Sequence, residues 1–235
     1  MAETYEIEVV VFDILGTMVD EPGGLRAAIR DAVPEAVDDA TADRLLVVWQ
    51  EHVEQEQRRI AEKDRAYANS EVIDREAALR VADRAGLTDP AAIERLATAS
   101  RRAEPWDDSL AGLARLARRF PVLGLSNAGR ATLLRLNAYA GLRWHQALSA
   151  EDARAYKPAP EVYRLALDAA GCPPERVLMV AAHAWDLRGA QALGMRTAHV
   201  RRPVGDPPKG TDTFDRRADS LDELAAALAG GEDCN

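Results

Sequence analysis

The chain is poor in cysteine and in aromatic residues. Its 235 residues include two cysteines, Cys172 and Cys234, and neither lies near a histidine or a second cysteine at metal-ligand spacing. Two cysteines do not make a disulfide framework, so we expect a reducing compartment. Aromatic residues make up only 5% of the chain, but apolar residues make up 47%. That content is enough for one sizeable core, or for a core with one insertion.

Long apolar runs and an excess of positive charge are also missing. No run approaches the length that spans a bilayer, and the opening segment MAETYEIE is acidic and has no apolar signal region. The formal net charge is -9 and the sequence pI is near 5.1, so the mean field of the protein repels polyanions. We therefore expect a cytoplasmic protein that binds neither nucleic acid nor membranes.

Short β-rich runs alternate with helical patterns over the C-terminal half of the chain. The predicted strands are Glu6–Phe12, Phe120–Asn127, His145–Ala150, Arg176–Ala182 and Met195–Val200. The predicted helices between the later strands are Ser109–Arg118, Arg130–Ala140, Pro160–Ala170 and Asp186–Leu193. This alternation predicts an α/β fold in which helices cover both faces of a parallel sheet.

A long stretch between the first and second predicted strands is almost wholly helical in pattern. One helix is predicted to begin with Thr41 as its N-cap, and another is predicted to end at Gly86. A helical insertion at this point would form a lid over the C-terminal edge of the sheet. We therefore predict a core formed by residues 1–20 and 105–235, with residues 21–104 as a helical cap.

Polar side chains follow four of the predicted strands. Asp13 ends the first strand, Ser126 and Asn127 end the second, and Lys157 lies on the loop after the third. The fourth strand is followed by residues 183–186, which contain a histidine and an aspartate. Ligands gather at the carboxyl ends of the strands in a parallel α/β sheet. These side chains are therefore expected to converge on one crevice.

Four segments in this order resemble the four motifs of the haloacid dehalogenase superfamily. They are FDILGT, LSN, YKPAPEVY and VAAHAWDLRGAQALGMRT. The resemblance covers nearly the whole chain and implies a Rossmann-like core with a helical cap inserted after the first strand. Within the superfamily, LSN and HAWD are similar to type II (S)-2-haloacid dehalogenases, whereas most members are magnesium-dependent phosphatases.

Two positions separate the dehalogenase and phosphatase interpretations. A phosphatase of this superfamily has an acid two residues after the nucleophile, where this chain has Leu15. It also has an acid four residues before the last aspartate of the fourth motif, where this chain has Ala182. Mg²⁺ requires several oxygen ligands, so Asp13 and Asp186 alone are a poor cage. Halide is a very weak base that leaves without a proton, so we expect neither a metal nor another cofactor.

The resemblance implies two-step nucleophilic catalysis. Asp13 attacks C2 of a short (S)-2-haloacid, and water then hydrolyses the aspartyl ester to release an (R)-2-hydroxyacid. Asp186 would orient or deprotonate this water, and Lys157 would keep both carboxylates ionised. Three further residues are predicted to position Asp13 and to bind the substrate carboxylate or a developing oxyanion: Thr17, Ser126 and Asn127.

The predicted substrate-binding residues differ from the family pattern at Gln50 and at His183, where the family often has an asparagine. They are Ile14, Leu15, Trp49, Gln50, His183 and Trp185. Dehalogenases of this kind carry an arginine directly after a tryptophan in the insertion, and it receives the departing halide. Here Gln50 follows Trp49, and Arg58 or Arg59 would replace the missing charge only in a differently arranged lid. A neutral amide hydrogen-bonds halide but offers no full positive charge.

This difference leaves three other interpretations open beside the dehalogenase. The same attack by Asp13 would open a strained ring at C2 of a small acid, where Gln50 suits an amine better than an anion. A magnesium phosphatase and a catalytically silent relative are the other two. The expected partner in the leading interpretation is a small carboxylic acid. Family members are often dimers, so a homodimer is also expected, with apolar faces of the insertion as its interface.

Overall fold

A single parallel sheet forms the centre of the protein. The computed structural model describes residues 6–33 and 38–229, and Cys234 lies outside them. The strands are β1 (Val9–Asp13), β2 (Val122–Ser126), β3 (Gln146–Ser149), β4 (Val177–Ala181), β5 (Arg196–Val200) and β6 (Arg216–Ala218). They pair in the order β3-β2-β1-β4-β5-β6, and every pair is parallel. The predicted α/β fold with a parallel sheet is confirmed.

Helices occupy most of the remaining chain. They are α1 (Glu21–Ala32), α2 (Asp39–Ala61), α3 (Ser70–Ala85), α4 (Pro90–Ala97), α5 (Ser109–Ala117), α6 (Arg130–Ala140), α7 (Pro160–Ala170), α8 (Ala184–Gln191) and α9 (Leu221–Ala229). Short 3₁₀ turns span Ala99–Arg102, Ala150–Ala153 and Pro174–Arg176. In the described part of the chain, no helix is long and apolar enough to cross a membrane.

The alternation of side chains along the strands creates one apolar layer on each face of the sheet. In β1, Val10 and Phe12 pack on the side of α5, α6 and α9, while Val9 and Val11 pack on the side of α7 and α8. All five β1 residues are buried, as are those of β2 and β4. A strand that is buried on both faces has a continuous apolar sequence, which explains why these three strands could be predicted.

Helices α1 to α4 have an apolar cluster of their own. It includes Leu25 and Ile29 of α1, Trp49 of α2, Val81 of α3 and Leu96 of α4. In the described residues between β1 and β2, none belongs to the sheet. These helices therefore bury their apolar faces mainly against one another.

Hydrogen bonds attach the connection between α2 and α3 to the loops at the carboxyl edge of the sheet. The Tyr156 hydroxyl donates to the Ala68 carbonyl at 2.8 Å. At the start of α6, Gly129 N donates to Ser70 Oγ at 2.8 Å, and Thr132 N donates to Glu71 Oε1 at 3.0 Å. Side chains of α3 thus accept from amides that α6 leaves free at its first turn.

Two predicted helix starts are wrong. Helix α2 begins at Asp39 with Asp38 as its N-cap, and Thr41 N donates to the Asp38 carboxylate at 2.8 Å. The short carboxylate reaches the amide of the third following residue, which is the usual N-cap geometry. Helix α8 begins at Ala184, so Asp186 lies within its first turn and does not cap it.

Strand β6 and helix α9 were not predicted. β6 has three residues and two of them are exposed, so its sequence lacks a hydrophobic period.

Candidate active site

Asp13 is the last residue of β1, at the carboxyl edge of the sheet, and is 5% exposed. The chain turns sharply behind it: Gly16 has a φ of 78°, and a Cβ there would lie 2.6 Å from Nε2 of His183. Thr17 Oγ1 donates to Asp13 Oδ2 at 2.6 Å and accepts from Ala182 N at 2.9 Å. Thr17 therefore ties the carboxylate to the end of β4.

Lys157 lies between two carboxylates. Its Nζ donates to Asp13 Oδ1 at 2.9 Å and to Asp186 Oδ2 at 2.7 Å, and the three side chains are 1%, 8% and 0% exposed. Burial lowers the pKa of Lys157, but the negative charges of Asp13 and Asp186 outweigh it and hold that pKa above its usual value. Lys157 is therefore a permanent cation at neutral pH.

Asp186 is fully buried in the first turn of α8. Burial raises the pKa of Asp186, Lys157 offsets only part of this, and the negative charge of Asp13 raises it further. Tyr163 of α7 donates its hydroxyl to Asp186 Oδ1 at 2.7 Å, which favours the ionised form. Lys157 was expected to keep both carboxylates ionised. For Asp186, burial outweighs the charge of Lys157, so the pKa of this carboxyl lies above its usual value.

Ser126 and Asn127 shape the loop after β2. Ser126 Oγ accepts from Ala128 N at 3.1 Å, and Asn127 Oδ1 accepts from Lys157 N at 2.8 Å. Among the described residues, no hydrogen bond joins either side chain to Asp13, which differs from the expectation that they position it. Asn127 instead fixes the backbone from which Lys157 reaches both aspartates.

A cleft of about 510 Å³ opens between α1, α2 and the loop that precedes α8. Gly16, Gln50 and His183 line it. His183 Nε2 lies 3.3 Å from the Leu15 carbonyl, and its ring stands 5.7 Å from that of Trp185. Four of the six predicted substrate-binding residues thus lie in this cleft or directly beside it.

Ile14 and Trp49 lie elsewhere. Ile14 is 0% exposed in the core, and its Cδ1 would be 2.8 Å from a Cβ on Gly124 of β2. Its side chain points away from Asp13 because neighbouring residues along an extended chain face opposite sides. Trp49 is 3% exposed within the apolar cluster of α1 to α4. Neither the Ile14 nor the Trp49 side chain lines the cleft, and each packs in an apolar cluster instead.

Arg58 and Arg59 do not supply a cation to the cleft. Arg58 donates to Glu54 at 2.6 Å, and Arg59 donates to Glu56 at 2.9 Å, both within α2. Gln50 is one of the α2 side chains that line the cleft.

The geometry agrees with comparisons to known proteins. A family profile described as haloacid dehalogenase-like hydrolase matches residues 7–194. The chain belongs to this family. The resemblance predicted from the four motifs is thereby confirmed.

Individual relatives of this hydrolase are dehalogenases by name. (S)-2-haloacid dehalogenase 4A of Burkholderia cepacia is 29% identical over 231 residues, which cover 93% of this chain and 94% of that protein. The crystal structure of a defluorinating L-2-haloacid dehalogenase superimposes with a TM-score of 0.85, 28% identity and 95% coverage of both chains. The structure of the Xanthobacter autotrophicus L-2-haloacid dehalogenase with chloropropionic acid covalently bound superimposes with a TM-score of 0.83 and 25% identity. The match covers 96% of this chain and 99% of that chain.

The donor set of the hydrolase does not suit a metal ion. Among the described residues, no group of three or more His, Cys, Asp or Glu side chains is placed to hold one. The positions where phosphatases of the family carry acids hold Leu15 and Ala182, and the Lys157 ammonium lies between Asp13 and Asp186.

Four residues near the site were missed by the sequence interpretation. Tyr163 was visible in the third motif, six residues after Lys157, but nothing in the motif linked it to Asp186. Glu21, in the first turn of α1, and Asp74, in the second turn of α3, resembled ordinary helix charges in the sequence. Arg202 lies in the irregular segment after β5, yet its side chain is only 6% exposed.

Proposed function

We propose that this hydrolase converts short (S)-2-haloacids to (R)-2-hydroxyacids through a covalent ester on Asp13. The observation that carries the proposal is the buried Lys157 ammonium shared by Asp13 and Asp186, with apolar residues where a phosphatase needs acids. Curated relatives named (S)-2-haloacid dehalogenase support it. So does the relative that holds chloropropionic acid covalently.

In the first step, an Asp13 oxygen bonds to C2 as the carbon–halogen bond breaks and its electron pair leaves with the halide. Thr17 and Lys157 each hold one oxygen of the nucleophile, so the carboxylate is oriented before substrate arrives. A displacement at saturated carbon inverts C2. The halide needs no proton, which is consistent with Leu15 at the position of the phosphatase acid.

In the second step, water attacks the Asp13 carbonyl carbon and leaves C2 untouched. Asp186 takes a proton from the water, and its carboxylate is held for this by Lys157 and by Tyr163. Ester cleavage frees the 2-hydroxyacid and regenerates the Asp13 carboxylate. The inversion made in the first step is therefore kept in the product.

We also propose that residues 21–104 act as a cap over a core of residues 1–20 and 105–235. The separate apolar cluster of α1 to α4 and the cleft between α1, α2 and the α8 loop support this division. The cap would exclude water from Asp13 during halide displacement.

The direct test is incubation with (S)-2-chloropropionate in EDTA, with free chloride and lactate as readouts. We expect release of both, D-configured product, and ¹⁸O from labelled water in Asp13 after a single turnover. Asp13→Asn should abolish all three signals. A phosphomonoester with added Mg²⁺ serves as the control. Phosphate release there, without chloride release from the haloacid, would contradict the proposal.

A cytoplasmic homodimer is the assembly we propose. Val72 and Leu79 are large apolar side chains of α3 that are 45% and 52% exposed. Burying them against a second copy removes apolar surface from water. Sedimentation equilibrium should give the mass of two 25.6 kDa chains, and Leu79→Glu should shift it to one.

A further inference from the structure

The cleft beside His183 contains one carboxyl group without a cationic partner. Arg26 and Asp43 line the cleft but pair with each other at 2.6 Å. Asp206 accepts from Trp185 N and lies 3.6 Å from a guanidinium nitrogen of Arg188. The Glu21 carboxyl also lines the cleft, and among the described residues no basic side chain forms an ion pair with it.

Glu21 is surrounded by groups that favour its protonated form. Burial raises the pKa of Glu21 to about 7, and the negative charge of Asp74 on α3 adds to this effect. Asp13 and Asp20 act in the same direction, whereas His183 lowers the pKa. The other charged groups around the cleft are the Arg26–Asp43 pair and Asp206. At neutral pH, a large fraction of Glu21 therefore carries a proton that it can donate in a hydrogen bond.

The hydrogen-bond donors around this cleft are largely uncharged. Gln50 offers an amide at the position after Trp49, and Glu21 offers a carboxyl O–H on the adjoining helix. A neutral donor stabilises a halide according to how strongly that halide accepts a hydrogen bond. Fluoride is the smallest and most basic halide, and it gains far more from a hydrogen bond than chloride or bromide. It is also the halide that leaves carbon least readily, so it needs this help most.

On the basis of the proposed function, we infer that Glu21 binds the departing halide and makes the enzyme selective for 2-fluoroacids. Asp13 forms its bond to C2 while the C2–F bond breaks and the electron pair goes to fluoride. The Glu21 O–H donates a hydrogen bond to that fluoride and keeps its proton. Gln50 adds a second neutral donor. Fluoride then departs as the anion, so charge and atoms balance without a metal or another acid.

The test compares (S)-2-fluoropropionate with (S)-2-chloropropionate at saturation, from pH 5.5 to 8.5. Glu21→Gln keeps a neutral donor, Glu21→Ala removes it, and Glu51→Gln, an exposed change on α2, is the matched control. The readout is the fluoro-to-chloro ratio of kcat. This ratio cancels repulsion between an ionised Glu21 and the substrate carboxylate, which affects both substrates alike.

We expect this ratio to fall about tenfold in the wild type as pH rises from 6 to 8. Glu21→Gln should make it independent of pH, and Glu21→Ala should lower it at least tenfold at pH 6, because fluoride release loses more rate than chloride release does. Glu51→Gln should match the wild type. A ratio that is equal in the wild type and in Glu21→Ala overturns the inference while leaving dehalogenation intact. Absence of any halide release overturns the proposed function itself.

Discussion

At the residue scale, the site depends on one ammonium group that serves two carboxylates. Separating like charges with Lys157 allows Asp13 and Asp186 to lie in a buried environment where neither is stable alone. The pKa of Asp186 is nevertheless raised by burial. The proposed base of the second step therefore ionises less readily than a free carboxyl, and the hydrogen bond from Tyr163 opposes this effect.

Tyr163→Phe should shift the acidic limb of the kcat profile to higher pH. Loss of the hydroxyl removes a bond that lowers the pKa of Asp186, so the carboxylate becomes protonated at a higher pH. A net hydrogen bond of this kind is worth about 1 to 2 kcal/mol, which corresponds to roughly one pH unit. The measurement is kcat for (S)-2-chloropropionate between pH 4.5 and 8. Tyr156→Phe, whose hydroxyl bonds the Ala68 carbonyl, is the control and should not move the limb.

At the scale of secondary-structure elements, the site is held by contacts between loops that are far apart in the chain. Arg202, after β5, donates its Nε to the Thr17 carbonyl at 2.8 Å, and its Nη1 lies 2.8 Å from Asp108 just before α5. Thr17 in turn donates to Asp13. We therefore propose that Arg202 positions the Asp13 carboxylate through Thr17 and the loop behind it.

Arg202→Met should lower kcat about 10- to 100-fold with a smaller change in KM. The Thr17 carbonyl loses its donor, and a small displacement of the nucleophile costs rate more than it costs substrate binding. Steady-state kinetics with (S)-2-chloropropionate measure the effects on kcat and on KM separately. The neighbouring change Arg201→Met, at a side chain that is 71% exposed, is the control. A variant at position 202 that loses stability but keeps kcat would show a purely structural role.

Hydrogen bonds between α3 and the first turn of α6 should stabilise the fold. Glu71→Ala leaves Thr132 N without its acceptor, so we expect a loss of about 1 kcal/mol in the free energy of unfolding, as for a lost N-cap. Urea denaturation followed by circular dichroism gives this value. Glu51→Ala on the exposed side of α2 should lose less than about 0.5 kcal/mol.

Local signals in the sequence explain which elements could be predicted. Helix α6 runs from Arg130 to Ala140 and α7 from Pro160 to Ala170, both as predicted, because Gly141 and Gly171 end them in a left-handed conformation and Pro160 starts the second. Strand β6 has no such signal. The four strand-end motifs located Asp13, Lys157 and Asp186 because parallel strands bring their carboxyl ends together.

The side-chain partners within the site could not be predicted in the same way. The contact between Tyr163 and Asp186 depends on how α7 packs beside α8, and the partly buried carboxyl of Glu21 depends on how the insertion lies over the sheet. Ile14 shows the reverse case. Its place in the motif suggested a pocket wall, but the alternation of side chains along the extended chain directs it into the core.

At the scale of the whole molecule, a buried carboxyl in α3 links folding to pH. Asp74 is 9% exposed, and burial raises its pKa to about 7, although a hydrogen bond from Ser100 at 2.9 Å opposes the shift. A carboxyl with a raised pKa in the folded state binds a proton more tightly there than in the unfolded chain. Its contribution to stability is therefore complete below about pH 4 and is lost as pH rises through 7.

Asp74→Asn should remove the decrease in folding stability that accompanies rising pH. Asparagine keeps an acceptor for Ser100 and has no charge to bury, so the variant should gain stability over the wild type with rising pH. About three pKa units correspond to an upper bound of about 4 kcal/mol at pH 8. Urea midpoints at pH 5 and pH 8 measure the difference. Equal midpoint shifts at the two pH values would mean that Asp74 does not titrate with folding.

The shared ammonium has one more consequence, for the order of events in a catalytic cycle. In the proposed mechanism, the negative charge of Asp13 disappears when the ester forms, and with it one of the influences that raise the pKa of Asp186. All of the Lys157 attraction then falls on Asp186. Ester formation should therefore lower the pKa of Asp186. The carboxylate form that accepts a proton from water is then more populated beside the ester than in the resting enzyme.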